Sequence, residues 1–348
     1  MKAIIHAGMS KTGTSSIQQT FARLNHPDIF YPEGGNHSSL TALLFMKDPM
    51  KFAGFRSRGL TSKELMKLRE ERKRYLLKNI RKRRRKHATH FVLSSEHISS
   101  LAQGKMVKLR KFIERRFDEY EVVVYVRPPM GYMTSAFQQR LKGNLTDIEL
   151  VWPKYRRRLE VMDKVFGQER VTFKLFKRDA LYKGDVVADF AKFIGFEIDE
   201  DKIINRNESL SLDATALLYV QRKYAHGFVQ GTDKAVRENF RYTDFLRTLK
   251  GEKLKFSNEL LIPLVEEYQE DLNWMESRIG QRILDNVKQE GVLIEKEEDM
   301  IEAAWSASER LVEVLPGVRK RKPTDTLENL VLNVKFIRKK AIHGDAKG

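Results

Sequence analysis

The chain has 348 residues, 41% of them hydrophobic, which is enough for one large core or two modest ones. It contains no cysteine, which excludes a disulfide framework, thiolate metal sites and cysteine nucleophiles. The formal net charge of +18 attracts anionic partners such as nucleic acid, acidic glycans, phosphorylated ligands or anionic membranes. The chain opens directly on a strand and has no apolar run of about 18 residues, so we expect a cytoplasmic protein without signal peptide or membrane span.

The first predicted elements are a strand and a helix separated by a glycine-rich turn. Residues 3–7 form a short apolar run that is typical of a buried strand. After the turn, Ile17, Phe21 and Leu24 recur at helical spacing. A strand, such a turn and a helix start together predict a phosphate site, because backbone N–H groups and the helix dipole there favour an anion.

The turn itself departs from the loop of nucleotide triphosphatases. Gly8 and Gly13 have the spacing of a Walker A loop, but Thr14 stands where those enzymes have lysine, and Lys11 lies inside the loop. No aspartate at a strand end offers the usual Mg²⁺ ligand. These features favour metal-free transfer from a nucleotide with a shorter phosphate chain over triphosphate hydrolysis. The loop carries four further hydroxyl side chains that would assist: Thr12, Thr14, Ser15 and Ser16.

Strands and helices alternate over the next 180 residues. Further strands are predicted at residues 28–32, 90–95, 120–126 and 170–176, and further helices at 37–46, 61–86, 105–117, 152–165 and 185–193. Another helix follows the strand at 120–126 through Met133, Phe137 and Leu141. Thr61 and Glu64 have the spacing of a capping box. This order predicts an α/β fold, a P-loop-type parallel sheet with helices on both faces.

The sequence predicts that the C-terminal half is helical. Helices are predicted at residues 212–224, 240–249, 258–279, 283–289 and 300–315, and an amphipathic helix at 327–337. No linker rich in Pro, Gly or Ser separates this half from the sheet. We therefore predict one domain over residues 1–318, with its helical portion from about 208, followed by a basic tail at 319–348.

A second candidate site follows the most apolar strand, residues 120–126. Arg127 comes at its carboxyl end, where α/β sheets bind ligands, and Ser135 lies in the helix after it. An arginine fork with a hydroxyl makes a good phosphate clamp, although a strand-end arginine that only caps carbonyl groups is equally compatible with the sequence.

Together, the two sites resemble the sulfotransferases that use 3′-phosphoadenosine 5′-phosphosulfate, bacterial members especially. The segment Lys11-Thr12-Gly13-Thr14-Ser15-Ser16 resembles their 5′-phosphosulfate loop, and Arg127 with Ser135 resembles their 3′-phosphate motif. More diffuse likeness at residues 179–190, 207–209 and 256–272 extends the resemblance over roughly residues 1–280. The Arg-Lys-Gly motif of cytosolic members is missing, and Arg206 is the candidate to replace it.

The resemblance implies a role for each of these residues. Lys11 would stabilise the bridging oxygen as the sulfuryl group leaves, and residues 12–16 would hold the 5′-phosphate. Arg127 and Ser135 would hold the 3′-phosphate, and no metal is required. The acceptor needs a general base, for which Glu96, at the carboxyl end of strand 90–95, is the first choice and His37 the second. His97 is a weaker candidate, and His6, inside the first strand, is expected to be a buried core residue.

The positive charge is concentrated in two segments, residues 67–90 and the last thirty residues, which are basic at 319–322 and 338–340. Between Lys67 and His90 there are twelve Lys or Arg against two Glu, and the run from Arg81 through Lys86 is uninterrupted. This run either forms a solvated helix face or draws a polyanionic acceptor or anionic membrane surface to the protein. It has no interleaved aromatic residues for stacking, which argues against nucleic acid.

The sequence thus predicts a cytoplasmic sulfotransferase, with peripheral membrane association as an option. Its acceptor hydroxyl is expected on a carbohydrate or glycolipid. Two alternatives remain open: a P-loop nucleotide kinase, and a non-enzymatic protein that binds anionic polymers or membrane surfaces.

Overall fold

The structure is a computed structural model that describes residues 1–9, 11–56, 59–205, 209–225 and 233–343. The chain forms two compact units, each assembled from separate segments. The sheet unit consists of Met1–Pro128, Lys154–Arg206 and Glu270–Leu284. The helical unit consists of Pro129–Pro153, Asn207–Gln269 and Asp285–Gly348.

The sheet unit contains a five-stranded, fully parallel sheet. Its strands are β1 (Lys2–His6), β2 (Ile29–Phe30), β3 (His90–Ser94), β4 (Tyr120–Val126) and β5 (Val171–Leu175), in the order β2-β3-β1-β4-β5. All five strands lie where the sequence predicts them, because β-branched and apolar runs of this length suit buried parallel strands. The predicted α/β class is confirmed.

Both faces of the sheet are covered. Neighbouring residues of a strand point to opposite faces, and Ile4 and Ile5 of β1 are both fully buried. On one face Ile4 belongs to a cluster with Phe21 from the first helix and with Val187 and Phe190 from a later one. An apolar stripe at helical spacing therefore docks each helix on the sheet.

Among the described residues of the sheet unit, eight helices accompany these strands. They are α1 (Thr14–Leu24), α2 (Ser38–Phe45), α3 (Ala53–Arg56), α4 (Ser62–Arg85), α5 (Gln103–Glu114), α7 (Tyr155–Phe166), α8 (Val186–Phe193) and α12 (Gln269–Ile279), the last of which begins one residue before the unit does. Helix α4 starts with the predicted capping box, in which the side chains of Thr61 and Glu64 bond to each other's backbone.

The helical unit is built from α6 (Pro129–Gly143), α9 (Leu212–Tyr224), α10 (Asp233–Thr248), α11 (Asn258–Glu267), α13 (Glu297–Arg310) and α14 (Leu327–His343). Helix α14 confirms the amphipathic helix predicted from residue 327 and extends it by six residues. Its Leu330, Val334 and Ile337 are fully buried, so most of the basic C-terminal segment is part of this unit's core.

Two helix predictions in the C-terminal half are wrong. Residues 258–279 form two helices instead of one, divided at Tyr268. Residues 283–289 are not helical, because side chains hold their backbone: Glu276 accepts hydrogen bonds from the N–H groups of Ile283 and Leu284. Within the part of the chain that the structure describes, none of the helices has the length and apolar character that a membrane crossing needs.

Candidate functional site

At its carboxyl edge the sheet has its topological switch point between β1 and β4, the position of the ligand crevice in α/β proteins. The chain leaves β1 towards β2 and β3 on one side, and it leaves β4 towards β5 on the other. Where the connections of two neighbouring parallel strands diverge in this way, α/β proteins bind their ligands. The glycine-rich loop follows β1 and Arg127 follows β4, so both sequence motifs border this crevice within the sheet unit.

The glycine-rich loop is tightly packed at both of its glycines. A Cβ atom on Gly8 would lie 2.4 Å from the Oγ1 atom of Thr14. Gly13 has a φ of +71°, and a Cβ atom there would lie 2.6 Å from the Cγ1 atom of Val186. Lys11 also adopts a left-handed conformation, with a φ of 69°. The loop therefore turns sharply and uses left-handed backbone conformations, as anion-binding loops do.

The loop hydroxyl groups are mostly turned inwards. The Oγ1 atom of Thr12 donates to the carbonyl of Met9 at 2.7 Å, and Thr12, Thr14 and Ser16 are all buried. They hold the loop in shape, which the sequence did not reveal. Helix α1 starts after Gly13, and the N–H groups of Thr14 and Ser15 in its first turn have no acceptor within the helix, so they can bind an anion.

Arg127 is joined to the loop directly. Its Nη1 atom donates to the carbonyl oxygen of Lys11 at 2.7 Å, across 116 residues of sequence. Its guanidinium carbon lies 5.9 Å from the ring centre of Phe176, which follows β5. The structure thus brings Lys11 and Arg127 together, as the sequence predicts, and the contact itself is the carbonyl-capping one that the sequence left open as an alternative.

A hydrogen bond from Tyr155, which Asp271 supports in turn, holds the backbone of Arg127 in place. The hydroxyl of buried Tyr155 donates to the carbonyl of Arg127 at 2.6 Å. Tyr155 is the first residue of α7, and the carboxylate of Asp271 accepts from the N–H groups of Tyr155 and Arg156, both at 2.8 Å. Sequence reasoning did not identify Tyr155 or this capping role of Asp271, because both contacts depend on tertiary folding.

Glu96 lies on the loop next to the glycine-rich loop. The N–H of Ser95 donates to the carbonyl of His6 at 2.9 Å, continuing the β1–β3 ladder to the residue before Glu96. The hydroxyl of Ser99, in the same short 3-10 turn as Glu96, donates to the carbonyl of Gly8 at 3.2 Å. Glu96 is partly exposed, so its position beside the crevice is compatible with a general base.

His37 has both ring nitrogens engaged. Its Nδ1 atom accepts from the N–H of Ser94 at 3.0 Å, so Nε2 carries the proton and donates to the carbonyl of Pro32 at 2.8 Å. Burial lowers the pKa of His37 to about 4. The ring therefore acts as a neutral cross-link between the segment after β2 and the end of β3, an arrangement that favours Glu96 over His37 as the base.

The two other histidines near the crevice are also tied into the fold. His6 is fully buried, as predicted, and its Nδ1 atom lies 2.8 Å from the hydroxyl of Ser94, while burial lowers its pKa to about 3. His97 is half-buried against the ring of Phe52, with centroids 5.1 Å apart, and burial lowers its pKa as well.

Two predicted phosphate ligands remain, Ser135 and Arg206. Ser135 belongs to the helical unit, on α6, where it is 8% exposed. In that unit the carboxylate of Asp285 caps α6 by accepting from the N–H groups of Met130 and Gly131. Arg206, the candidate third phosphate ligand, lies outside the described residues, as does Ser10 of the loop.

Comparisons with known proteins assign no family to this chain. No protein-family model matches it, and no solved structure matches it. The chain is similar to an uncharacterized protein from Archaeoglobus fulgidus, with 23% identity over 133 residues, or 36% of each chain. The similarity thus covers little more than a third of that relative's length. What the fold and site define is an α/β protein with a glycine-rich loop and an arginine at the crevice of its parallel sheet.

Proposed function

We propose that this protein transfers a sulfuryl group from 3′-phosphoadenosine 5′-phosphosulfate to an acceptor hydroxyl, on a carbohydrate or glycolipid. The observation that carries the proposal is the 2.7 Å hydrogen bond from Arg127 to the carbonyl of Lys11 at the β1–β4 crevice. It joins the two motifs that would grip the two phosphate-bearing ends of one donor. The comparisons neither add to this proposal nor oppose it.

Each group at the crevice has a role in this reaction. The N–H groups of Thr14 and Ser15 bind the 5′-phosphate at the start of α1. The guanidinium of Arg127, which also donates one hydrogen bond to the loop, is assigned to the 3′-phosphate. The ammonium group of Lys11 neutralises the negative charge that grows on the bridging oxygen of the leaving phosphate.

The transfer step then balances as an in-line displacement. The acceptor oxygen forms a bond to sulfur while the bond from sulfur to the bridging oxygen breaks, and adenosine 3′,5′-bisphosphate leaves. Glu96 accepts the proton of the acceptor hydroxyl. As in phosphoryl transfer, positioning and charge stabilisation supply the catalysis, so the reaction draws only on groups that the crevice already holds in place.

Donor binding can be tested by thermal shift with adenosine 3′,5′-bisphosphate. A ligand at 100 times its dissociation constant adds about 2.7 kcal/mol to stability, so the unmutated protein should show a clear shift. Lys11→Ala and Arg127→Ala should each weaken binding by about 10- to 100-fold, since each removes a charged hydrogen-bonding group worth about 1.5–3 kcal/mol. Lys111→Ala, an exposed lysine of α5, is the matched control and should leave the shift unchanged.

The results also separate the alternatives. The absence of any shift in the unmutated protein would overturn the proposal. Turnover with ATP and Mg²⁺ but not with the phosphosulfate donor would make the protein a nucleotide kinase instead. For the base, Glu96→Gln should abolish transfer while bisphosphate binding is retained, and an active Glu96→Gln variant would rule out Glu96.

A further inference from the structure

Helix α4 carries a continuous line of positive charge on its solvent face. With 3.6 residues per turn, six of its cationic residues fall within an arc of about 60°. All six are exposed: Lys63, Lys67, Arg74, Lys78, Arg81 and Arg85. At 1.5 Å per residue this basic stripe is about 33 Å long, the whole length of the helix. The opposite face of α4 packs into the protein through Leu65, Leu76 and Ile80.

The charge of the basic stripe is not neutralised by the protein. Within the described part of the chain, none of its six residues forms an ion pair, and the ion pairs of α4 involve other side chains, Lys73 with Glu70 and Arg84 with Asp118. From residue 72 to residue 86 the chain has ten Lys or Arg and no acidic residue. Four of the six stripe residues lie in this stretch, so this part of the stripe presents a positive surface to an external partner.

The helix dipole does not account for the stripe. Cations are favourable in the last turn of a helix, which includes Arg85 but not Arg81. The same dipole disfavours Lys63 and Lys67, which lie in the first two turns. The positive charge thus continues against the dipole, over the full length of the helix.

Neighbouring arginines widen the positive surface at the C-terminal end of α4. The Nη2 atom of Arg84 donates to the carbonyl of Arg116 at 2.7 Å, which brings the ends of α4 and α5 together. Burial lowers the pKa of Arg116, and the like charges of Arg115 and Arg81 lower it further. Several arginines are therefore held close together, a costly arrangement that an anionic partner would relieve.

We propose that the basic stripe docks the protein on an anionic lipid bilayer. The stripe lies on the exposed face of a single 24-residue helix, so its charges can contact one anionic surface together. Single-stranded nucleic acid is bound in grooves that track its backbone and are lined with aromatic side chains for stacking, which the stripe lacks. The six residues of the stripe are all Lys or Arg, so the attraction is electrostatic and depends on acidic lipid headgroups.

The test measures binding of the full-length protein to vesicles of phosphatidylcholine with and without phosphatidylserine. The stripe variant Lys67→Gln/Arg74→Gln/Lys78→Gln removes three charges and retains helix-forming side chains. Each Lys or Arg at an anionic surface changes affinity about fivefold, so this variant should bind about 100-fold more weakly. The matched control, Lys177→Gln/Lys183→Gln/Lys202→Gln, removes three equally exposed charges whose lysines pair with nearby carboxylates. Both variants should retain the circular dichroism spectrum and the melting temperature of the unmutated protein, so that a loss of binding does not reflect unfolding.

The proposal predicts binding to the acidic vesicles only, a fall in affinity with added salt, and a control within about twofold of the unmutated protein. Equal binding to neutral and acidic vesicles would overturn it, as would equal binding by the two variants. Tighter binding of duplex DNA or a soluble acidic polysaccharide than of acidic vesicles, lost in the stripe variant, would assign the stripe to that polymer instead. None of these outcomes depends on the proposed sulfuryl transfer, which bisphosphate binding tests separately.

Discussion

Lys11 holds a backbone conformation that is unfavourable for a residue with a side chain. Its φ of 69° lies in the left-handed region, which costs a non-glycine residue about 1–2 kcal/mol. The hydrogen bond from Arg127 to its carbonyl offsets part of this cost. Strain of this kind persists only where the surrounding structure enforces it, and it is concentrated at functional sites. The loop conformation therefore depends on Arg127 even before a ligand binds.

Gly8 provides a direct test of the loop geometry. Gly8→Ala places a methyl group 2.4 Å from the hydroxyl of Thr14, so the loop or the start of α1 must shift. We expect a loss of about 1–3 kcal/mol in stability, measured by urea unfolding, and weaker bisphosphate binding. Gly104→Ala, in α5, meets no atom within 4 Å and should instead stabilise the protein by about 0.5–1 kcal/mol. Equal effects of the two substitutions would contradict the packing described for the loop.

The burial of His37 in its neutral form predicts that the stability of the protein depends on pH. Burial lowers its pKa from an ordinary value of 6.5 to about 4, so the unfolded chain binds a proton on His37 that the folded protein does not. The contribution of His37 to the free energy of unfolding is therefore fully present above pH 6.5. It falls by about 1.4 kcal/mol per pH unit as the pH drops towards 4. The free energy of unfolding, measured with urea, should differ less between neutral pH and about pH 5 in His37→Gln than in the unmutated protein. The same substitution at exposed His343 should leave the difference unchanged.

At the scale of elements, the start of α7 supports the candidate site. Asp271, on α12, accepts from two N–H groups at the first turn of α7, and this turn carries the Tyr155 hydroxyl to the carbonyl of Arg127. A carboxylate at a helix start satisfies backbone donors and interacts favourably with the dipole. The position of Arg127 thus rests on packing between helices that are 100 residues apart in sequence.

Asp271→Ala should therefore affect both stability and donor binding. The loss of a helix cap costs about 0.5–2 kcal/mol, and the displaced α7 start should loosen Arg127 and weaken bisphosphate binding severalfold. Thr61→Ala removes the cap of α4, far along the chain from Arg127, and makes a matched control. It should lower stability by a similar amount while leaving bisphosphate affinity unchanged. Equal affinity losses in the two variants would show that α7 does not position Arg127.

At the scale of the whole molecule, each of the two units is assembled from segments that are distant in the sequence. The helical unit takes in the basic C-terminal segment, whose helix α14 packs against α9, α10 and α13. Residues 319–343 therefore contribute to the stability of this unit, in addition to any role of their charge.

A pair of leucines on α14 tests this contribution. Leu330 is fully buried, whereas Leu332 is 58% exposed on the same helix. Leu330→Ala should cost about 2–5 kcal/mol because it removes buried apolar contacts and leaves a cavity. Leu332→Ala should change stability by less than about 0.5 kcal/mol, since surface substitutions rarely do more. Thermal unfolding measures both, and similar midpoints for the two variants would mean that α14 is not part of the core.

The sequence alone determined the α/β class, all five strands and most of the helices, because these depend on local periodicity and on runs of β-branched residues. It also located Lys11 and Arg127, since strand ends in a parallel sheet share one edge. The local pattern failed at residues 283–289, whose apolar spacing resembles a helix although the carboxylate of Glu276 accepts from the N–H groups of Ile283 and Leu284.

Only the tertiary structure decided how the candidate site is held together. In the folded chain the hydroxyl of Thr12 bonds to the loop backbone, and both ring nitrogens of His37 form hydrogen bonds. Tyr155 bonds to the carbonyl of Arg127, and Asp271 caps the helix that carries Tyr155. The physical reason is that a hydrogen bond between residues 28 or 116 positions apart leaves no periodic trace in the chain. Side-chain types at strand ends define which chemistry is available, and packing decides which of those groups can face a substrate.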